Sequence, residues 1–143
     1  MPYAFLDDAP VADIGFTATG RTLDECFQSA ADATLAAMVA NPASLDDRAR
    51  HSIAIDHELL DLSLLNFLQE LVYYKDAHQL LLHASAVRVH RRDDRWRVEA
   101  VLQGERIDPH RHQLSADVKA VTVHRLRVAQ TPDGWEATVV LDV

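Results

Sequence analysis

A chain of 143 residues, nearly half of them hydrophobic and a quarter charged, has the size and composition of one globular domain around one core. Its formal charge of -8 opposes phosphate backbones, so any role on RNA is expected to be indirect and DNA is not expected as a partner. The single cysteine, Cys26, excludes a disulfide framework or a Cys-based zinc site within one chain and fits a reducing, cytoplasmic setting. The opening MPYAFLDDAP has neither a basic n-region nor an apolar h-region, and no apolar run approaches the ~20 residues of a membrane span. A soluble protein that makes no membrane contact is expected.

In chain order, Asp13 to Thr19 alternates with a period of two and predicts a half-buried strand closed by Gly20. Thr22 and Glu25 have capping-box spacing, and apolar residues from Leu23 to Met38 recur every three or four positions, predicting a helix to about Val39 that Asn41-Pro42 stops. A short strand is expected around Ile53 and Ile55, then a second helix from Leu59 to near Tyr74. Four strands follow, at roughly Leu81 to His90, Trp96 to Leu102, Val118 to Val128 and Trp135 to Asp142. Turn signals at Asp93-Asp94, Gly104 and Pro132-Asp133-Gly134 separate them. No repeat or linker marks a second domain, so residues 1–143 are read as one unit. The fold class expected is α+β: a two-layer sandwich with both helices on one face of a largely antiparallel mixed sheet.

The densest chemistry lies in DPHRHQLSADVKAVTVH, Asp108 to His124. His110, His112 and His124, with Asp108 or Asp117, are residue types that can coordinate zinc or manganese. Loop histidines that bond backbone carbonyls, with His124 paired on the sheet, account for them better than ligation does, because His110 and His112 would share a face if extended but match no helix-borne metal pair. The isolated glycines make no phosphate loop, and neither a G-x-S-x-G elbow nor an accessible cysteine supports an acyl-transfer enzyme. Two quieter carboxylates have a geometric argument behind them: Asp13 opens the first predicted strand and Asp142 closes the last. Antiparallel pairing would set them side by side, with the carboxylate of Val143 as a third oxygen group. Such a set suits calcium, magnesium or manganese; the alternative is a pair of solvated strand ends.

Five pieces of the chain then carry a resemblance: VADIGF at Val11 to Phe16, RTLDECF at Arg21 to Phe27, LLNFLQELVY at Leu64 to Tyr73, IDPHRHQLSADVKAVTVH at Ile107 to His124, and GWEATVVLDV at Gly134 to Val143. Together they resemble the archease family over nearly the whole chain. One departure stands out: the stretch Asp7-Asp8-Ala9-Pro10-Val11 before Asp13 is longer by about two residues and lacks the histidine that archeases usually carry there.

The resemblance implies a protein cofactor and not an enzyme. Its partner would be an RtcB-type RNA ligase of tRNA splicing and RNA repair, whose guanylylation and multiple turnover it promotes. It also implies a divalent metal ion, calcium first and magnesium or manganese otherwise, held by Asp13, Asp142 and Val143. Asp108, His110, His112 and Lys119 are then expected on or near the ligase-facing surface, with Lys119 available for a structural ion pair. Two other classes stay open at this point: a small metal-dependent phosphoesterase using His110, His112 or His124, and a chaperone-like interaction module.

Overall fold

A computed structural model describes residues 2–9 and 13–143. Residues 10–12, which belong to the departing stretch and to the VADIGF motif, lie outside them. The element order is β1 (Tyr3–Leu6), β2 (Asp13–Gly20), α1 (Leu23–Met38), a 3-10 turn (Pro42–Ser44), β3 (Ala49–His57), α2 (Leu60–His78), β4 (Leu80–Arg92), β5 (Arg95–Arg106), β6 (Ala120–Thr131) and β7 (Gly134–Asp142). The class is α+β, as the alternating periodicities imply.

The strands form two sheets and not the single mixed sheet expected. One has the order β1-β2-β7-β6 and the other β3-β5-β4, and every pairing among the described residues is antiparallel. Hairpins explain the grouping. The Asp93-Asp94 turn joins β4 to β5 with both residues at positive φ (53° and 63°), the backbone of a type I′ turn. Gly134, at φ 145°, opens β7 after the second hairpin; a side chain there would strike the Gly20 carbonyl.

Helix side chains decide why the sheets do not merge. Asp61 Oδ1 and Gln69 Oε1 of α2 accept the backbone N–H groups of Val128 and Val121 at 3.0 Å each, on the outer edge of β6. On the outer edge of β4, Asp24 Oδ1 of α1 accepts the N–H of Val89 at 2.7 Å, and the Gln28 amide donates to Ala84 O at 2.7 Å. These edges are therefore occupied by helices, which blocks further strand pairing. Both helices also pack against strands of both sheets, so they join the two sheets into one body.

The core is continuous across this arrangement. Phe16 of β2, Phe27 of α1, Phe67 of α2 and Leu102 of β5 are fully buried, and the Phe27 and Phe67 rings stack at 6.1 Å. The capping box forms as expected: Glu25 N–H donates to Thr22 Oγ1, and the Glu25 carboxylate accepts from the backbone N–H of Arg21. Helix α2 runs one turn beyond the expected Tyr74 and ends at Gln79 in the left-handed conformation.

Cys26 lies on the buried face of α1, with its Sγ 3.6 Å from Ala18 O. Burial, with the nearby Glu136 carboxylate, pushes its thiol up to about 11, and a thiol held protonated is a poor nucleophile. A thiol-specific reagent at pH 8 is expected to modify Cys26 only as fast as the protein opens. Prompt stoichiometric modification of the folded protein would contradict this packing.

Candidate metal centre at the paired chain ends

The pairing of β2 with β7 runs without a break from Gly20↔Trp135 to Asp13↔Asp142. Ile14, Phe16 and Ala18 oppose Leu141, Val139 and Ala137 on the core side. Because side chains alternate, Asp13 and Asp142 fall together on the other face at the open end of the ladder. Asp142 is held from its second side as well: it is the partner of Ala120 on β6, and its carbonyl accepts from Lys119 N–H at 2.8 Å. Val143 follows Asp142 directly and packs its side chain on the core.

Like charges directly opposite one another on a sheet repel. Among the described residues no cationic side chain forms an ion pair with Asp13 or Asp142. Both are half-buried. The two carboxylates are hard oxygen donors, which with a backbone oxygen of Val143 would suit a divalent cation of the calcium, magnesium or manganese kind. No group of three or more His, Cys, Asp or Glu side chains among the described residues could hold a metal. A cation at the tip would thus take its further ligands from Val143, water or a partner.

The histidine run has a different role. His110 and His112 were expected to share a face of an extended segment, but Asp108 to Arg111 is a turn, with Arg111 and His112 N–H donating to Asp108 O. His110 is exposed and His112 is buried. His112 Nδ1 accepts the N–H of Asp108 at 2.8 Å. The proton of the neutral ring therefore sits on Nε2, 3.4 Å from Glu105 Oε2. Asp108 is half-buried, and its carboxylate accepts the N–H of His110. His124, expected to pair on the sheet, is exposed in a bulge where Val123 to Leu126 of β6 oppose the single residue Val139. The three histidines therefore form no common site.

Sequence reasoning missed two groups that hold this loop. The buried Glu105 carboxylate takes a two-point bond from Arg111, at 2.6 and 3.0 Å, and accepts the N–H of Asp46 at 2.6 Å. Lys75, buried in the last turn of α2, donates to Asp117 Oδ1 and to Val118 O, both at 2.6 Å, and pairs with Asp76 at 2.9 Å. Burial alone would lower the Lys75 pKa, but the bonds to Asp117 and Asp76 outweigh it and the net shift is upward. The structural ion pair expected of Lys119 belongs to Lys75 instead, while Lys119 is exposed and bonds Asp142 through its backbone. The signal was the loose lysine at the end of the apolar stripe of α2, invisible without its partner forty-two residues on.

The tip thus sets two carboxylates face to face on an α+β scaffold, and the histidine loop is clamped by Glu105 and Arg111. The profile of the archease protein family (MTH1598/TM1083) matches residues 3–143, and the chain belongs to that family. An archease of Pyrococcus furiosus is 32% identical over 133 residues, 92% of this chain and 93% of its own length. One of Methanosarcina acetivorans is 32% identical over 142 residues, covering 99% and 95%. The solution structure of protein 1598 of Methanobacterium thermoautotrophicum superposes with a TM-score of 0.85 at 28% identity, covering 99% of each chain. A Thermotoga maritima protein described as an archease and possible chaperone shares the fold, with a TM-score of 0.65 at 16% identity and coverage of 94% and 96%.

Glu105 gives a pH test of the loop clamp. Its bonds from Arg111, and then from the Asp46 N–H, hold its carboxyl down at about 2, against 4.5 ordinarily. The unfolded chain takes up this proton first as pH falls, so the stability Glu105 supplies is complete above about pH 5 and is lost on the way to its folded value. Melting temperatures of Glu105→Gln are expected to be lower than wild type at pH 7 and to converge with it as pH falls toward the acid limb. A constant gap between the two down to pH 2.5 would contradict the clamp.

Proposed function

We propose that this archease acts as the protein cofactor of an RtcB-type RNA ligase, promoting its guanylylation and repeated turnover in tRNA splicing or RNA repair. Asp13, Asp142 and Val143 would hold a divalent cation, calcium first and magnesium or manganese otherwise. The observation that carries the proposal is the direct opposition of Asp13 and Asp142 at the end of an unbroken ladder, in a chain that belongs to the archease family. A cation there would supply concentrated positive charge for phosphate oxygens that ordinary side chains at this tip do not offer.

The chain's own residues do the rest by position. The ladder fixes the spacing of the two carboxylates, Lys119 N–H and Ala120 hold Asp142 from the β6 side, and the Lys75 clamp on Asp117 and Val118 keeps that approach rigid. Rigid support is what lets a small donor set act as a site. The negative charge of the whole chain favours encounter with a basic, RNA-binding ligase and disfavours RNA held directly.

Asp13→Asn and Asp142→Asn are expected to fold, since both side chains lie off the core face, and to lose at least about tenfold of the stimulation of ligase guanylylation, equivalent to ~1.4 kcal/mol. Full stimulation by both variants would remove the tip from the mechanism.

A further inference from the structure

Helix α2 presents an exposed ring where a surface helix would ordinarily show a charged or polar side chain. Tyr73 is 50% exposed, yet its ring is fixed. It meets Tyr74 edge-on at 5.3 Å and His78 edge-on at 5.6 Å, and Tyr74 is stacked in turn on His51 of β3 at 4.5 Å. An aromatic ring held in place by two others, one of them itself stacked, loses little freedom when something docks on it, which makes it a ready anchor. Beside it runs a groove of about 370 Å³ lined by Ile55, Asn66, Gln69, Glu70 and Tyr73.

Charge selects the occupant. Among the described residues Glu70 has no ion-pair partner, and the nearest lysine on the helix, Lys75, is turned inward to Asp117 and Val118. A carboxylate next to an open tyrosine ring complements a guanidinium, which stacks its flat face on the ring and pairs its N–H fork with the carboxylate. The chain already makes half of that contact itself: Arg91 lies 5.1 Å over the Trp96 ring. The carboxylate disfavours the phosphates of a nucleic acid at the same spot.

The groove also adjoins the tip. Gln69, one of its walls, accepts the N–H of Val121, and the residue before Val121 is Ala120, the partner of Asp142. A partner that reaches the carboxylate pair therefore has α2 at its flank.

We propose that the groove formed by Ile55, Glu70 and Tyr73 is a docking site for an arginine side chain on the basic surface of the protein partner, and this rests on the ligase-cofactor reading above. It separates holding the partner from acting on it: Tyr73 and Glu70 set affinity, and the Asp13–Asp142 tip sets stimulation.

The test is calorimetric titration of the purified ligase with wild type, Tyr73→Ala, Tyr73→Phe and Glu70→Gln, with guanylylation measured in parallel at saturating cofactor. Tyr73→Ala and Glu70→Gln are expected to weaken binding by roughly tenfold each while retaining wild-type stimulation at saturation; Tyr73→Phe, which keeps the ring, is expected to bind as wild type does. Unchanged affinity in Tyr73→Ala and Glu70→Gln, with a wild type that stimulates normally, would overturn the docking site and leave the cofactor reading standing. Binding of single-stranded RNA by the isolated protein that Tyr73→Ala abolishes would overturn it in favour of base stacking. A wild type that neither binds nor stimulates the ligase would sink both readings together.

Discussion

The antiparallel ladder between β2 and β7 is the constraint on which the rest of this structure depends. It joins a strand from the start of the chain to the last strand, and its register is set by which residues can be buried: Ile14, Phe16 and Ala18 against Leu141, Val139 and Ala137. A slip of one residue in either strand would turn its three apolar side chains away from the core, so the register is strongly fixed. Fixing it also fixes Asp13 opposite Asp142. The repulsion of that pair is tolerated because the hydrophobic side of the same ladder outweighs it; two facing carboxylates cost ~1 kcal/mol or less, whereas a buried Phe or Leu side chain contributes about 1.5–3 kcal/mol.

The helices extend that constraint to the whole body. Each gives an apolar stripe to the core and uses two polar side chains to satisfy an otherwise open strand edge, Asp24 and Gln28 on β4 and Asp61 and Gln69 on β6. Such positions look like ordinary surface residues of an amphipathic helix. Their effect is to limit the sheets to three and four strands and to keep the tip end of β6 in place. Gln69 takes part in both tasks, since the strand edge it covers is next to Asp142 and its other flank is a wall of the Tyr73 groove.

Local periodicity made much of this legible. The half-buried alternation of β2, the capping box of α1 and the Asp93-Asp94 turn are each written in a few adjacent residues, and each has the form expected of it. Strand β1 was not legible, because Tyr3, Ala4, Phe5 and Leu6 are all apolar and show no alternation; the strand exists only by pairing with β2. The last turn of α2 was missed because Lys75 to His78 breaks the apolar stripe, and Lys75 is buried through an ion pair and not through hydrophobicity. The division into two sheets depends on helix side chains reaching strand edges far along the chain, which no local pattern encodes.

At the site, the opposition of Asp13 and Asp142 followed from strand order alone, while the histidine run misled. Three histidines close in sequence are separated by a turn at Asp108 to Arg111 and a bulge at Val123 to Leu126, one of them buried and two exposed. Glu105, the carboxylate that organises their loop, read as an ordinary charge at a strand end. The chemistry assigned to the tip comes down to whether two facing carboxylates bind a cation that neither binds alone. Calorimetric titration of the protein with calcium answers that most directly: one saturable site is expected in the wild type, weakened at least about tenfold in Asp142→Asn, and equal affinity in the two would contradict a shared cation.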